Sequence, residues 1–383
     1  MIELCSAELV PDPSVLMDPG GFTWFYVDLV SDGGVGATVI WSWGLPFLPG
    51  YAHSARTGHP ELPIDRPSVN IAVYGPEGER FYLLTELPPD ECTWAADGRS
   101  WRLGDCRFSW TDTPGAGGTG TIRTLEADLD LALPTGGRVT GRLWLSGRLR
   151  SDPRDRDRRD SVTEGAAGRS VGPHLWSPMV AASRGGLELH TPDGTLEVSG
   201  RAYHDRNSAT LPLDELGVRS WWWGRLAFPG RDLIVYRLVP SEPDGPPRGF
   251  VVEIGEEGCC RVCEDSELRF EHPRRNIWGM RWPRRAAFHD PDGRPVHIEV
   301  RALVDNGPFY QRYLLQGWCD GQEAYGVGES LVPHRVDGDL LRPLVRMRVH
   351  RADGPNSMWL PLFSGLSHGR WGRLLGRPRK VRA

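Results

Sequence analysis

An all-β, antiparallel fold is what this chain predicts, on three observations. Short runs rich in aromatic and β-branched residues recur along its 383 residues. Asp-Gly pairs at Asp32, Asp97, Asp193, Asp244, Asp292, Asp320, Asp337 and Asp353 fall between such runs, and these pairs favour the left-handed backbone of tight hairpin turns. Gly (47) and Pro (33) are so frequent that few stretches long enough for a helix escape both. Short strands with turn signals and no helical periodicity mark antiparallel sandwiches or barrels.

The predicted strands run over 22–30, 36–43, 69–74, 80–85, 138–145 and 195–203 in the first half, each a β-rich run closed by turn residues. The second half supplies 220–228, 232–238, 249–254, 296–303 and 310–318. A boundary near 213–217 leaves comparable strand counts on each side, giving domains over 1–215 and 216–383, and this length lets each bury a core. The stretch 152–160, mostly Asp and Arg, continues to 172 with almost no apolar residue. It cannot repay the entropy of ordering, so it is a solvated loop, with a lid over a cavity mouth as the alternative.

Composition removes several function classes. No window approaches the unbroken apolar run of a transmembrane helix. The first residues, Met1 to Cys5, lack a basic region and an apolar signal core, which predicts a cytoplasmic protein. Net charge is −5 with the signs mixed, unlike a dedicated nucleic-acid binder. The CxxC of Cys260 and Cys263 has neither a second pair nor a histidine at metal-ligand spacing. No glycine-rich phosphate loop, zinc-protease signature or serine elbow occurs, so no cofactor or metal is expected. The tail over 369–380 is basic and carries Trp371 and Leu374. It is either a disordered terminus or a contact with anionic lipid at the inner membrane surface.

The chemistry-bearing segment is Tyr203-His204-Asp205-Arg206-Asn207, followed by Trp221-Trp222-Trp223-Gly224-Arg225. Strand side chains alternate between faces, so Tyr203, Asp205 and Asn207 share one face and His204 takes the other. Likewise Trp221, Trp223 and Arg225 share a face opposite Trp222, which is left for packing. A carboxyl among aromatic rings keeps its proton, because burial disfavours the charged form, and aromatic faces attract cations. An acid beside such a wall suits proton-initiated chemistry on an alkene. Arg225 reads equally as a partner for a structural carboxylate such as Asp28.

Other segments join these in order: Trp24-Phe25-Tyr26-Val27-Asp28 with Ser31-Asp32-Gly33, Pro49-Gly50-Tyr51-Ala52, Asn70-Ile71-Ala72-Val73-Tyr74-Gly75, and Pro308-Phe309-Tyr310-Gln311-Arg312. Together they resemble the carotenoid 1,2-hydratases (hydroxyneurosporene synthases), a family with tandem lipocalin-like domains. The chain departs from that family where Asp205-Arg206-Asn207 replaces Asp-His-Asn, and where Arg66-Pro67-Ser68 replaces the His-Cys ahead of Asn70. The stretch after Asn207 differs too.

The resemblance implies two lipocalin-like antiparallel barrels or half-barrels around an apolar cavity. It further implies cofactor-free, acid-catalysed hydration of a terminal isoprenoid or polyene double bond. Asp205 is then the proton donor, with Tyr203 and His204 as catalytic partners, although His204 points away unless a bulge intervenes. The substrate contacts are Trp24, Tyr26, Trp41, Asn70, Asn207, Trp221, Trp223 and Arg225, with Trp41 equally readable as barrel core beside Trp43. The alternatives are an isoprenoid or pericyclic cyclase using the same pocket, and a carrier of a hydrophobic ligand without chemistry.

Overall fold

The computed structural model describes residues 2–7, 13–115, 117, 120–151, 174–264, 266–368 and 370–371. The charge run from 152 and most of the basic tail lie outside them. The described chain forms a fourteen-stranded sheet, a nine-stranded sheet and a separate two-stranded hairpin. The α-helices described from end to end are short, Tyr51–Arg56 and Arg342–Arg346.

Each large sheet is two meanders joined at one seam. In the first, Phe22–Val30, Gly36–Trp43, Pro67–Gly75 and Gly78–Glu86 pair in sequence order. A second meander runs back from Gly194–Ala209 through His174–Thr191 and Arg138–Arg148 to Cys92–Trp94. The seam pairs Phe22–Val30 with Gly194–Ala209. The second sheet repeats the plan: Val218–Phe228, Arg231–Pro240 and Arg248–Gly255 form one meander, joined through Gln322–Leu331 to Tyr310–Cys319 and Pro295–Asn306. An Asp-Gly hairpin of the predicted kind links the last two strands of the chain's second sheet, with φ of 49° at Asp320 and 74° at Gly321.

Both sheets curl into half-barrels, each around its own core. In the first, Phe25 meets Trp101 edge-on at 4.5 Å and Trp41 meets Phe108 at 4.6 Å, closing the two meanders on one another. The second core gathers Trp222, Leu226, Phe228, Val296 and Leu315. The outer faces of the half-barrels pack together, burying Tyr26, Trp176, Tyr203, Trp223, Ile234 and Tyr236 in one shared cluster. After Leu331 the chain crosses back. Val349–Arg351 and Gly365–Leu366 pair with Gly78–Glu86, so late residues complete the first sheet.

Candidate active site

Strand pairing sets the site out in rows. Residues opposite one another on antiparallel strands point to the same face, and the first sheet aligns Asp205, Tyr26, Ile40, Asn70 and Leu84 in one row. The second sheet aligns Phe250, Tyr236, Trp223, Glu329 and Arg312. The two rows face each other at the seams. The Trp223 ring lies 5.7 Å from that of Tyr26 and 6.0 Å from that of Tyr203.

Asp205 is 4% exposed and accepts three hydrogen bonds. Trp176 Nε1–H donates to Oδ2 at 2.9 Å, Tyr203 O–H to Oδ2 at 2.8 Å, and Asn207 Nδ2–H to Oδ1 at 2.9 Å. His174 Nε2 lies 2.8 Å from Asn207 Oδ1 and fixes that amide. Burial pushes the Asp205 carboxyl up to about 8, against the opposing pull of the Trp176 and Tyr203 hydrogen bonds. The acid therefore holds its proton at neutral pH, and its carboxylate, once formed, has three donors waiting. Burial also lowers His174 to about 4, so it is neutral, and its Nδ1 has no partner among the described residues.

A cavity of about 400 Å³ opens two strands along the row from Asp205, and neither the acid nor its hydrogen-bond partners line it. Ile40, Asn70 and Leu84 of the Asp205 row line it, together with Phe47, Val304 and Phe309. Tyr26 stands between the acid and the cavity in that row, its hydroxyl buried and without a partner among the described residues. The charged side chains of the wall are paired among themselves. Arg312 Nε donates to Glu329 at 3.0 Å, and Arg348 to Asp305 at 2.6 Å. What remains for a ligand is mostly apolar and aromatic.

The candidate residues separate accordingly. Asp205, Tyr203, Asn207, Trp24, Tyr26, Trp221 and Trp223 come together between the half-barrels, and Asn70 lines the cavity. His204 and Trp41 do not join them. The register of Gly194–Ala209 against Phe22–Val30 is unbroken from Arg201 to Ala209, so alternation sends His204 into the first core. There it stacks on Phe25 at 5.6 Å, and burial lowers it to about 3. Trp41 points into the same core. Arg225 is fully buried and pairs with both Asp28 and, at 2.8 Å, Asp232; no charge is left over for a substrate.

Sequence reasoning missed Trp176 and His174. They sit on His174–Thr191, whose Pro178, Gly185 and Gly186 disguise it as irregular chain. The alternation His174-Leu175-Trp176 was the available signal. As for metals, Glu253, Asp290 and Asp292 converge, but Arg231, Arg261 and Arg294 pair with them and neutralise the cluster.

The fold and site are those of an all-β protein of two lipocalin-like half-barrels with a buried carboxylic acid among aromatic rings between them. The comparisons with known proteins narrow this. Residues 39–357 match the family model for carotenoid hydratase CrtC, and the chain belongs to that family. It is 27% identical over 342 residues to the acyclic carotenoid 1,2-hydratase of Thiocapsa roseopersicina, covering 88% of this chain and 74% of that one. The enzyme of the same name from Cereibacter sphaeroides is 27% identical over 317 residues, covering 81% of this chain and 97% of its own. Among solved structures, an AttH-type protein of Nitrosomonas europaea superposes with a TM-score of 0.53 at 14% identity, over 82% of this chain and 92% of that one. CghA with Sch210972 does so at 0.50 and 13%, over 84% and 90%. These two likenesses concern the fold alone.

Proposed function

We propose that the protein adds water to the terminal trisubstituted double bond of an acyclic polyene, with Asp205 as the acid. The observation that carries this reading is a carboxyl buried among aromatic rings with three hydrogen-bond donors on its oxygens, in a strand row that continues through Tyr26 into an apolar cavity. The alkene π pair takes the Asp205 proton to form a C–H bond, leaving a tertiary carbocation. The carboxylate is held by the N–H of Trp176, the O–H of Tyr203 and the amide of Asn207. Trp223, Tyr26 and Trp24 offer ring faces to the cation, and one desolvated contact of this kind is worth about 2 kcal/mol. Water, aligned by the free Nδ1 of His174, gives its oxygen pair to the cation. Its surplus proton returns to Asp205, so the net change is one H₂O added.

Incubating the protein with an acyclic carotenoid and weighing the product tests the reading. A gain of one water is expected, and an isomer of unchanged mass would mean that an internal nucleophile captures the cation. Asp205→Asn should lower turnover by about 10²–10⁴-fold, the usual worth of a general acid, while binding of the polyene persists. Undiminished turnover in that variant would remove Asp205 from the chemistry.

A further inference from the structure

The separate hairpin, Arg274–Arg275 with Arg281–Trp282, stands outside both sheets at the mouth of the cavity. One side chain holds its tip. Asn276 Oδ1 accepts from the backbone N–H of Trp278 at 3.0 Å and of Met280 at 2.8 Å, and its Nδ2 donates to Asn306 Oδ1 at 2.7 Å. The tip thus presents Ile277 at 88% exposure, while its neighbour Trp278, 37% exposed, lines the cavity. Leu340, 92% exposed, comes four residues before Leu344 of the same cavity wall. Fixing large apolar side chains in water costs hydration free energy with no packing in return.

The charges around the tip are equally one-sided. Arg274, Arg275, Arg281, Arg284 and Arg285 are exposed, and none forms an ion pair among the described residues. Glu271 is the only acid from 271 to 285. An apolar tip among unpaired guanidinium groups matches an anionic bilayer, where apolar side chains enter the acyl boundary and cations meet phosphates. We propose that the 274–285 hairpin docks the cavity mouth on an anionic membrane surface, so that an apolar substrate enters without crossing water. The docking stands on the exposed tip and its charges; the passage of a polyene rests on the hydratase reading.

Co-sedimentation of the full chain with vesicles tests it. Binding is expected to vesicles of phosphatidylcholine with phosphatidylglycerol, weakening as salt rises, and to be slight with phosphatidylcholine alone. Ile277→Asp and Leu340→Asp should each weaken it by about tenfold, and Arg274→Ala or Arg281→Ala by about fivefold. Turnover of a polyene embedded in those vesicles should fall in step, while turnover of the same polyene in detergent micelles stays at the wild-type rate. Failure of the wild type to bind would overturn the proposal. So would wild-type binding in all four variants, which would assign attachment to another segment such as the basic tail. Vesicle binding with no hydration of any polyene would leave docking in place and remove the reading of the reaction.

Discussion

Residue 205 balances two opposed forces: burial, which holds the proton on, and three hydrogen bonds, which favour its release. The raised side wins, and this has consequences of opposite sign for activity and stability. Turnover needs the acid form, so kcat/KM should be level below pH 8 and fall about tenfold per unit above it; a flat profile through pH 10 would exclude this donor. Trp176→Phe removes an N–H that favours the carboxylate, so the alkaline limb should move to higher pH and turnover should drop. Folded, the group titrates near 8; unfolded, near its ordinary 3.8. The folded state is therefore progressively penalised as pH rises from about 4 to about 8. Asp205→Asn cannot ionise, and its Tm should rise relative to wild type across that window even as turnover is lost. Alternation alone made Asp205, Tyr203 and Asn207 legible as one face. The bond of Trp176 to Asp205 was not legible, because it crosses between strands 29 residues apart in sequence.

Among the elements, Val218–Phe228 shows best what alternation does. Its odd positions, Trp221, Trp223 and Arg225, face the other half-barrel, while Trp222 fills its own core and Gly224 makes room for it, a Cβ there falling 2.8 Å from the indole. Arg225 acts as a strut. It joins Asp28 of one sheet to Asp232 of the other, and Asp232 Oδ2 also accepts from the backbone N–H of Ala182 at 2.8 Å. Ala182 sits at a bulge in His174–Thr191 with φ of 47°, a conformation unfavourable for alanine. Arg225→Met should cost about 3–5 kcal/mol, because two buried carboxylates lose their counter-charge; a denaturation curve within 1 kcal/mol of wild type, about the worth of an exposed pair, would contradict the strut. The predicted strands were found, 22–30 and 36–43 at their predicted bounds and the others with extended ends; 195–203 in fact runs to Ala209. Thr121–Ala132 escaped prediction although its burial alternates along most of its length. Its outward Glu126, Asp128 and Asp130 diluted the β signal.

At the scale of the whole molecule, the site exists because two seams meet. One pairs residues near 26 with residues near 205, and the other pairs residues near 223 with residues near 329. Such long-range pairings were invisible to local pattern, which explains why the all-β class was readable and the facing of the two half-barrels was not. The order of the chain was also misleading. Segments at 349–351 and 365–366 belong to the edge of the first sheet, although they follow the second in sequence.

That return crossing bears on how the protein is made. A ribosome releases the Gly78–Glu86 edge long before residue 366 emerges, and an open edge is a template for pairing with other chains. A nascent chain stalled or truncated before residue 349 should therefore aggregate through this strand, whereas a chain ending after residue 371 should stay monodisperse in light scattering. The newborn first half-barrel thus depends on its own distant downstream sequence as a clasp, and synthesis must pass residue 366 before that half is safe.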